Sequence, residues 1–154
     1  MRDSNPYSGK IVLSNPNDES KSHTILIDCF PEHKSEIEYA DCRKYTGYIN
    51  RKSFAPHGEG VAVFPDTSSY DGHWEEGEMH GHGYFSWNDG SSYRGEYQHG
   101  RKHGIGRFVF PSGKYYEGEW VHGKQSGRGK LYDKNGDLIH NGVWREGVFL
   151  KEAE

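Results

Sequence analysis

The chain has 154 residues, a formal net charge of −4, 32% hydrophobic residues and a mean hydropathy of −1.02. A compact two-layer domain usually needs more apolar side chains than this, and the acidic balance, with Lys and Arg interspersed among acids, argues against nucleic acid. It argues equally against strong attraction to anionic membranes, and no stretch is long and apolar enough to cross a bilayer as a helix.

Residues 1–21 are polar, rich in Ser, Asn, Asp and Pro, with Ile11-Val12-Leu13 as their one apolar cluster. They read as an extended arm or linker and not as a signal peptide, because Arg2 and Asp3 lead into no adequate apolar run. In residues 22–44 the short β-branched run Thr24–Phe30, stopped by Pro31, predicts a strand. Phe30-Pro31-Glu32 echoes Phe64-Pro65-Asp66 and Phe110-Pro111-Ser112. This segment is therefore either a degenerate repeat with Glu36–Tyr39 as partner strand or an unrelated capping strand; both would cover a sheet edge. Cys29 and Cys42 form no Cys-x-x-Cys pair and no disulfide framework, which fits a reduced, cytoplasmic setting; a bridge between the two stays open.

From Tyr45 onward the chain repeats. Tyr70, Gly72, Trp74, Gly77, His80, Gly81, Gly83 and Gly90 recur as Tyr93, Gly95, Tyr97, Gly100, His103, Gly104, Gly106 and Gly113. They recur again as Tyr116, Gly118, Trp120, Gly123, Ser126, Gly127, Gly129 and Gly136, at a period of about 23 residues. A looser copy precedes them (Tyr45, Gly47, His57, Gly58, Gly60, with Ile49 at the Trp position), and a half copy follows (His140, Gly142, Trp144, Gly147). The array thus spans 45–147, with 148–154 as a tail. Both segments of each copy alternate with period two, and glycine-bearing turn sequences punctuate them: Glu76-Gly77, His99-Gly100, Asn88-Asp89-Gly90, Pro111-Ser112-Gly113 and Lys134-Asn135-Gly136. Each unit is a predicted β-hairpin. The expected fold is all-β, an elongated single-layer antiparallel sheet of stacked hairpins with one aromatic and one charged face. Glycine between aromatics either leaves room for a neighbouring ring or merely allows twist and bulges.

No catalytic constellation emerges, and the chain reads as no enzyme. Glu75, Glu76, Glu78, Glu96, Glu117 and Glu119 fall on the solvent face or at turns. No serine or cysteine sits in a nucleophile setting, and the glycines alternate along strands instead of forming a phosphate loop. His57, His80 and His103 recur in register before a glycine, so they read as turn elements bonded to backbone; with no completing ligand set, no metal and no cofactor are expected.

The pattern Tyr-x-Gly-x-Trp-x-x-Gly-x-x-His-Gly-x-Gly at this period resembles the MORN repeat (membrane occupation and recognition nexus). Tyr97 for Trp and Ser126 for His depart from it. The resemblance implies stacked hairpins with an aromatic-lined groove. It also implies scaffolding in cytoskeletal and ciliary assemblies such as the axoneme, capture of a partner helix or peptide, and in some members membrane association. The expected partner-binding groove is formed by Tyr70, Trp74, Tyr93, Tyr97, Tyr116, Trp120 and Trp144. A peripheral phospholipid-binding module that tethers a complex to membrane is the alternative, disfavoured by charge, and homodimerisation along a free sheet edge stays open.

Overall fold

The computed structural model describes residues 8–15, 18–28 and 34–153. Thirteen strands follow one another in chain order: β1 (Ser8–Asn15), β2 (Asp18–Asp28), β3 (Ser35–Glu38), β4 (Lys44–Ile49), β5 (Pro56–Val63), β6 (Ser69–Glu75), β7 (Glu78–Ser86), β8 (Ser92–Gln98), β9 (Arg101–Val109), β10 (Tyr115–Val121), β11 (Lys124–Tyr132), β12 (Leu138–Arg145) and β13 (Val148–Glu152). Every strand pairs antiparallel with its chain neighbours, so the sheet is open and its order is the order of the sequence. Among the described residues there is no helix and no second layer.

Residues 8–15 and 18–21 of the expected arm are strand, in β1 and the start of β2. Thr24–Asp28 lie in β2, while Cys29 and Phe30 fall outside the described residues. The partner strand expected at Glu36–Tyr39 is β3, with Ile25 opposite Ile37. Cys42 is exposed and free.

Two kinds of turn build the meander. Glu76-Gly77, His99-Gly100, His122-Gly123 and Glu146-Gly147 place positive φ at both central residues, at 46° and 88° in the first pair. That is the two-residue turn whose twist matches the flanking strands. The longer turns at the opposite ends of the hairpins close on Gly90, Gly113 and Gly136, with Thr67 taking that place in the first. There Asp66 and Asp89 accept the backbone N–H of Ser68 and Ser91 at 3.0 and 2.8 Å. These bonds, with those from the serine hydroxyls, hold both carboxyls below the usual aspartate range. Each tight turn also hangs on the hairpin before it. The Gly77, Gly100, Gly123 and Gly147 N–H groups donate to the carbonyls of Pro56, Met79, Lys102 and Gln125.

Register aligns the units across the sheet. Tyr45, Ala62, Tyr70, Phe85, Tyr93, Phe108, Tyr116 and Leu131 form one transverse row. Gly47, Gly60, Gly72, Gly83, Gly95, Gly106, Gly118 and Gly129 form the next. In the third, Trp74 faces Gly58, Tyr97 faces Gly81, Trp120 faces Gly104 and Trp144 faces Gly127. All three rows lie on one face, because alternate residues of a strand share a side.

Candidate functional site

The glycine row creates the space that the tyrosine row fills. A Cβ on Gly72 would stand 2.5 Å from the Gly83 Cα and 2.7 Å from the Tyr70 hydroxyl. The same pair of obstacles faces Gly95 beside Gly106 and Tyr93, and Gly118 beside Gly129 and Tyr116. Room for a ring is therefore the reason for these glycines, and not twist alone. Each tyrosine lies along its strand and donates its hydroxyl to a carbonyl three residues on: Tyr45 to Tyr48, Tyr70 to His73, Tyr93 to Glu96 and Tyr116 to Glu119, at 2.5, 2.9, 3.0 and 3.1 Å. Burial pushes all four phenols up, that of Tyr116 to about 12.

The third row locks successive units together. Trp74 stands edge-to-face against Tyr45 and Tyr70, Tyr97 against Tyr70 and Tyr93, Trp120 against Tyr93 and Tyr116, and Trp144 against Tyr116, with centroids 5.0–5.4 Å apart. Such T-shaped pairs add about 0.5–1.5 kcal/mol each beyond area burial. The indole N–H groups of Trp74, Trp120 and Trp144 donate to the carbonyls of Gly60, Gly106 and Gly129. Tyr97 fills the same slot with a phenol, and its buried hydroxyl has no partner.

This packing revises the expected groove. Tyr70, Trp74, Tyr93, Tyr97, Tyr116, Trp120 and Trp144 all come together on one face, but all are buried, at 0–7% exposure. The physical reason is the glycine row: with no side chain beneath it, each ring lies down against the sheet and closes the surface. What a visitor would meet is the flanking line of rings, of which Phe64, Trp87, Phe108 and Phe110 are half-buried and Phe85 is buried among them. Phe64 stacks on Phe85, Phe85 on Trp87, Trp87 leans on Phe108, and Phe108 meets Phe110, with centroids 4.4–5.7 Å apart. Sequence alternation put Phe85, Trp87, Phe108 and Phe110 on this face; what it missed is that Trp87, Phe108 and Phe110, and not the tyrosines or Phe85, keep area accessible on it.

Lys102 was missed entirely. It occupies the register place of Met79 and Gln125 in the neighbouring units, each opposite the third-row aromatic. Its ammonium lies over the rings of Phe108 (4.3 Å), Trp120 (4.5 Å), Trp87 (5.5 Å) and Tyr93 (5.6 Å). Burial pulls its pKa down to about 8, while the ring faces attract the charged form. Aligning the 23-residue units would have exposed this odd position.

The reverse face is mixed: exposed Val61, Val63, Tyr84, Ile105 and Val121 alternate there with charged side chains, several of which are paired. Glu96 and Glu119 accept the backbone N–H of Ile105 and Arg128, bracing the bulges at Gly104 and Gly127. Arg107 pairs with Glu117 and lies 3.9 Å over Tyr115, which stacks on Tyr132. The histidines differ from expectation: His57 and His80 face the carboxylates of Glu76 and Glu75, at 3.5 and 3.2 Å. His80 meets Glu75 across the tight turn and His57 meets Glu76 within the tight turn of the next hairpin, so a carboxylate is the neighbour of each. Among the described residues no three His, Cys, Asp or Glu side chains gather as a metal site.

The MORN repeat family model matches residues 55–69, 70–92, 93–115 and 116–138, more than half of the chain. The outer copies at Tyr45 and Trp144 lie beyond those bounds, yet they pack in the same rows. No curated protein matches the chain significantly. Among solved structures, similarity is found to the TCP domain of Drosophila melanogaster SAS-4 (dCPAP) in complex with a proline-rich motif of Ana2 (dSTIL). The identity is 11%, over 84% of this chain and 81% of that one, at a TM-score of 0.46. The TCP10 domain of Danio rerio CPAP, in complex with a STIL peptide, gives 14% identity over 88% and 100%, at a TM-score of 0.15.

Proposed function

Since this chain belongs to the MORN-repeat family, we propose that it is a non-enzymatic scaffold that holds a protein partner, a helix or an extended peptide, against the aromatic face of its sheet. The observation that carries this reading is the line Phe64, Phe85, Trp87, Phe108 and Phe110. It is a contiguous aromatic strip on a sheet with no second layer among the described residues. Aromatic side chains at the edge of a rigid surface are the anchors that protein interfaces use. The seven rings first expected to touch the partner enter this proposal as its rigid floor. A place in a cytoskeletal assembly, the axoneme included, belongs to the proposal through the family alone.

The test is affinity capture with the full chain and with a Trp87→Ser/Phe110→Ser double variant, both shown to be folded by circular dichroism. Proteins recovered by the wild type and lost from the variant support the reading. Equal recovery by both removes the aromatic strip as the binding surface.

A further inference from the structure

The strands of the aromatic face carry one charge, Lys102, and no carboxylate among the described residues pairs with it; the next cation, Lys114, stands exposed at the turn beside Phe110. Of the side chains that β5–β11 direct to this face, only Lys102 is permanently ionised; the rest are aromatic, aliphatic, glycine, serine or glutamine. The four rings around its ammonium offer π faces, and the one hydroxyl among them, that of Tyr93, is bonded to the Glu96 carbonyl and takes no N–H from Lys102. The nearest register carboxylates are engaged elsewhere, Glu96 and Glu119 with backbone N–H groups and Glu117 with Arg107, all on the opposite face. Lys102 itself forms no ion pair among the described residues. The neighbouring units show that the slot does not demand a cation, because Met79 and Gln125 fill it. A half-buried ammonium with ring faces on its sides gives up part of its hydration, which a docked carboxylate would replace.

Resting on the docking surface proposed above, we propose that Lys102 is its charge anchor, taking the carboxylate of an Asp or Glu that is flanked by apolar residues in the docked segment. The occupant is thus an apolar peptide segment with one acid, seated on Trp87 and Phe110 with its carboxylate over the Nζ. Charge complementarity selects the acid, and the apolar surround selects its flanks. A phosphate group, with twice the charge and a tighter water shell, would have to enter a site that offers one cation among rings. Rings on the cation's sides and an oxygen above it are compatible, since the π faces leave the ammonium's solvent-facing N–H groups free.

The test uses a random peptide-display library selected on the immobilised full chain in four forms: wild type, Lys102→Met, Lys102→Glu and Trp87→Ser. Lys102→Met reproduces the side chain that the preceding unit already packs at this place, so it keeps the fold. Wild type is expected to enrich apolar peptides with Asp or Glu at one fixed position. Lys102→Met should lose the acidic preference while keeping the apolar one, and Lys102→Glu should replace it with Lys or Arg. For one selected peptide, changing its acid to the amide should weaken binding to wild type on the order of tenfold and leave Lys102→Met unaffected. The same acidic consensus on Lys102→Met overturns the anchor, as does a wild-type selection with no acidic enrichment, including one that yields no peptide. Retention of the wild-type peptides by Trp87→Ser overturns the docking surface instead, so the two failures are told apart.

Discussion

The unit at Tyr93–Gly113 and its neighbours, Tyr70–Gly90 and Tyr116–Gly136, share a register, a tyrosine laid over glycine and the same two turns. Beyond the exchanges at Leu131 and along Trp87, Phe110 and Asp133, two side chains on the aromatic face set the middle unit apart from both neighbours. Where the neighbours have Trp74 and Trp120 with satisfied indoles, the middle unit has Tyr97 with an orphaned hydroxyl. Where they have Met79 and Gln125, it has Lys102. What recurs is what the backbone needs, and what varies is chemistry laid on top. Stability and specificity are thereby assigned to different positions of one repeat, as expected where each unit is held mainly by its neighbours.

The largest expected effect falls on what all the units share. Gly106→Ala should cost about 3 kcal/mol or more, because the new methyl meets the Tyr93 hydroxyl and ring inside 3 Å, and that ring is fully buried and has nowhere to move. Gly90→Ala should cost about 1 kcal/mol, since its surroundings are empty within 4 Å and only its φ of 85° resists. Urea denaturation of the two variants separates space from conformation. Equal losses would mean that the glycine row is not there for the rings.

Much of this architecture is legible in the amino-acid sequence. Period-two alternation and paired turn glycines predict hairpins, and register then places every ring. The fate of the rings is not legible there. Tyr70 or Trp120 in an alternating strand reads as an aromatic stripe, and only the approach of Gly72 to Gly83 shows that the stripe lies flat and seals itself. Lys102 reads as one more lysine until the units are superposed. Tyr97 reads as a mild departure, although exchanging an indole for a phenol moves the polar atom out of reach of its carbonyl.

Trp120→Phe should cost about 2 kcal/mol, since it removes buried volume and the N–H that satisfies the Gly106 carbonyl. Tyr97→Trp runs the exchange the other way. By register its indole N–H faces the Gly83 carbonyl, and the variant should gain about 1 kcal/mol. A loss of stability in Tyr97→Trp would show that the middle slot has adapted its shape to the smaller ring.

Removing a hydroxyl should then give opposite signs in one unit. Tyr93→Phe abolishes the bond to the Glu96 carbonyl and should lose about 1 kcal/mol. Tyr97→Phe deletes a buried group that bonds to nothing, so it should be neutral or gain a few tenths of a kcal/mol in thermal or chemical denaturation. Equal losses would place a partner on the Tyr97 hydroxyl.

The last effect is the most diagnostic of the middle unit, and its size depends on pH. Lys102 titrates near 8 in the folded chain, against about 10.4 for a free lysine. Between those values the unfolded chain holds the extra proton, so wild-type stability gains with rising pH, and the penalty is complete below pH 8. Lys102→Met has no such proton. It should exceed wild type by about 1 kcal/mol at pH 7, after discounting for solvent and for ring attraction, and the excess should shrink toward pH 10. The titratable groups near the ammonium are the phenols of Tyr93, whose ring it faces, and of Tyr97, opposite it in register; burial pushes both up. Both variants retain them, so the difference between the two stability curves isolates the lysine. A difference independent of pH from 7 to 10 would mean that the rings hold the ammonium as well as water does. The strain at Lys102 that a docking carboxylate is proposed to relieve would then not exist.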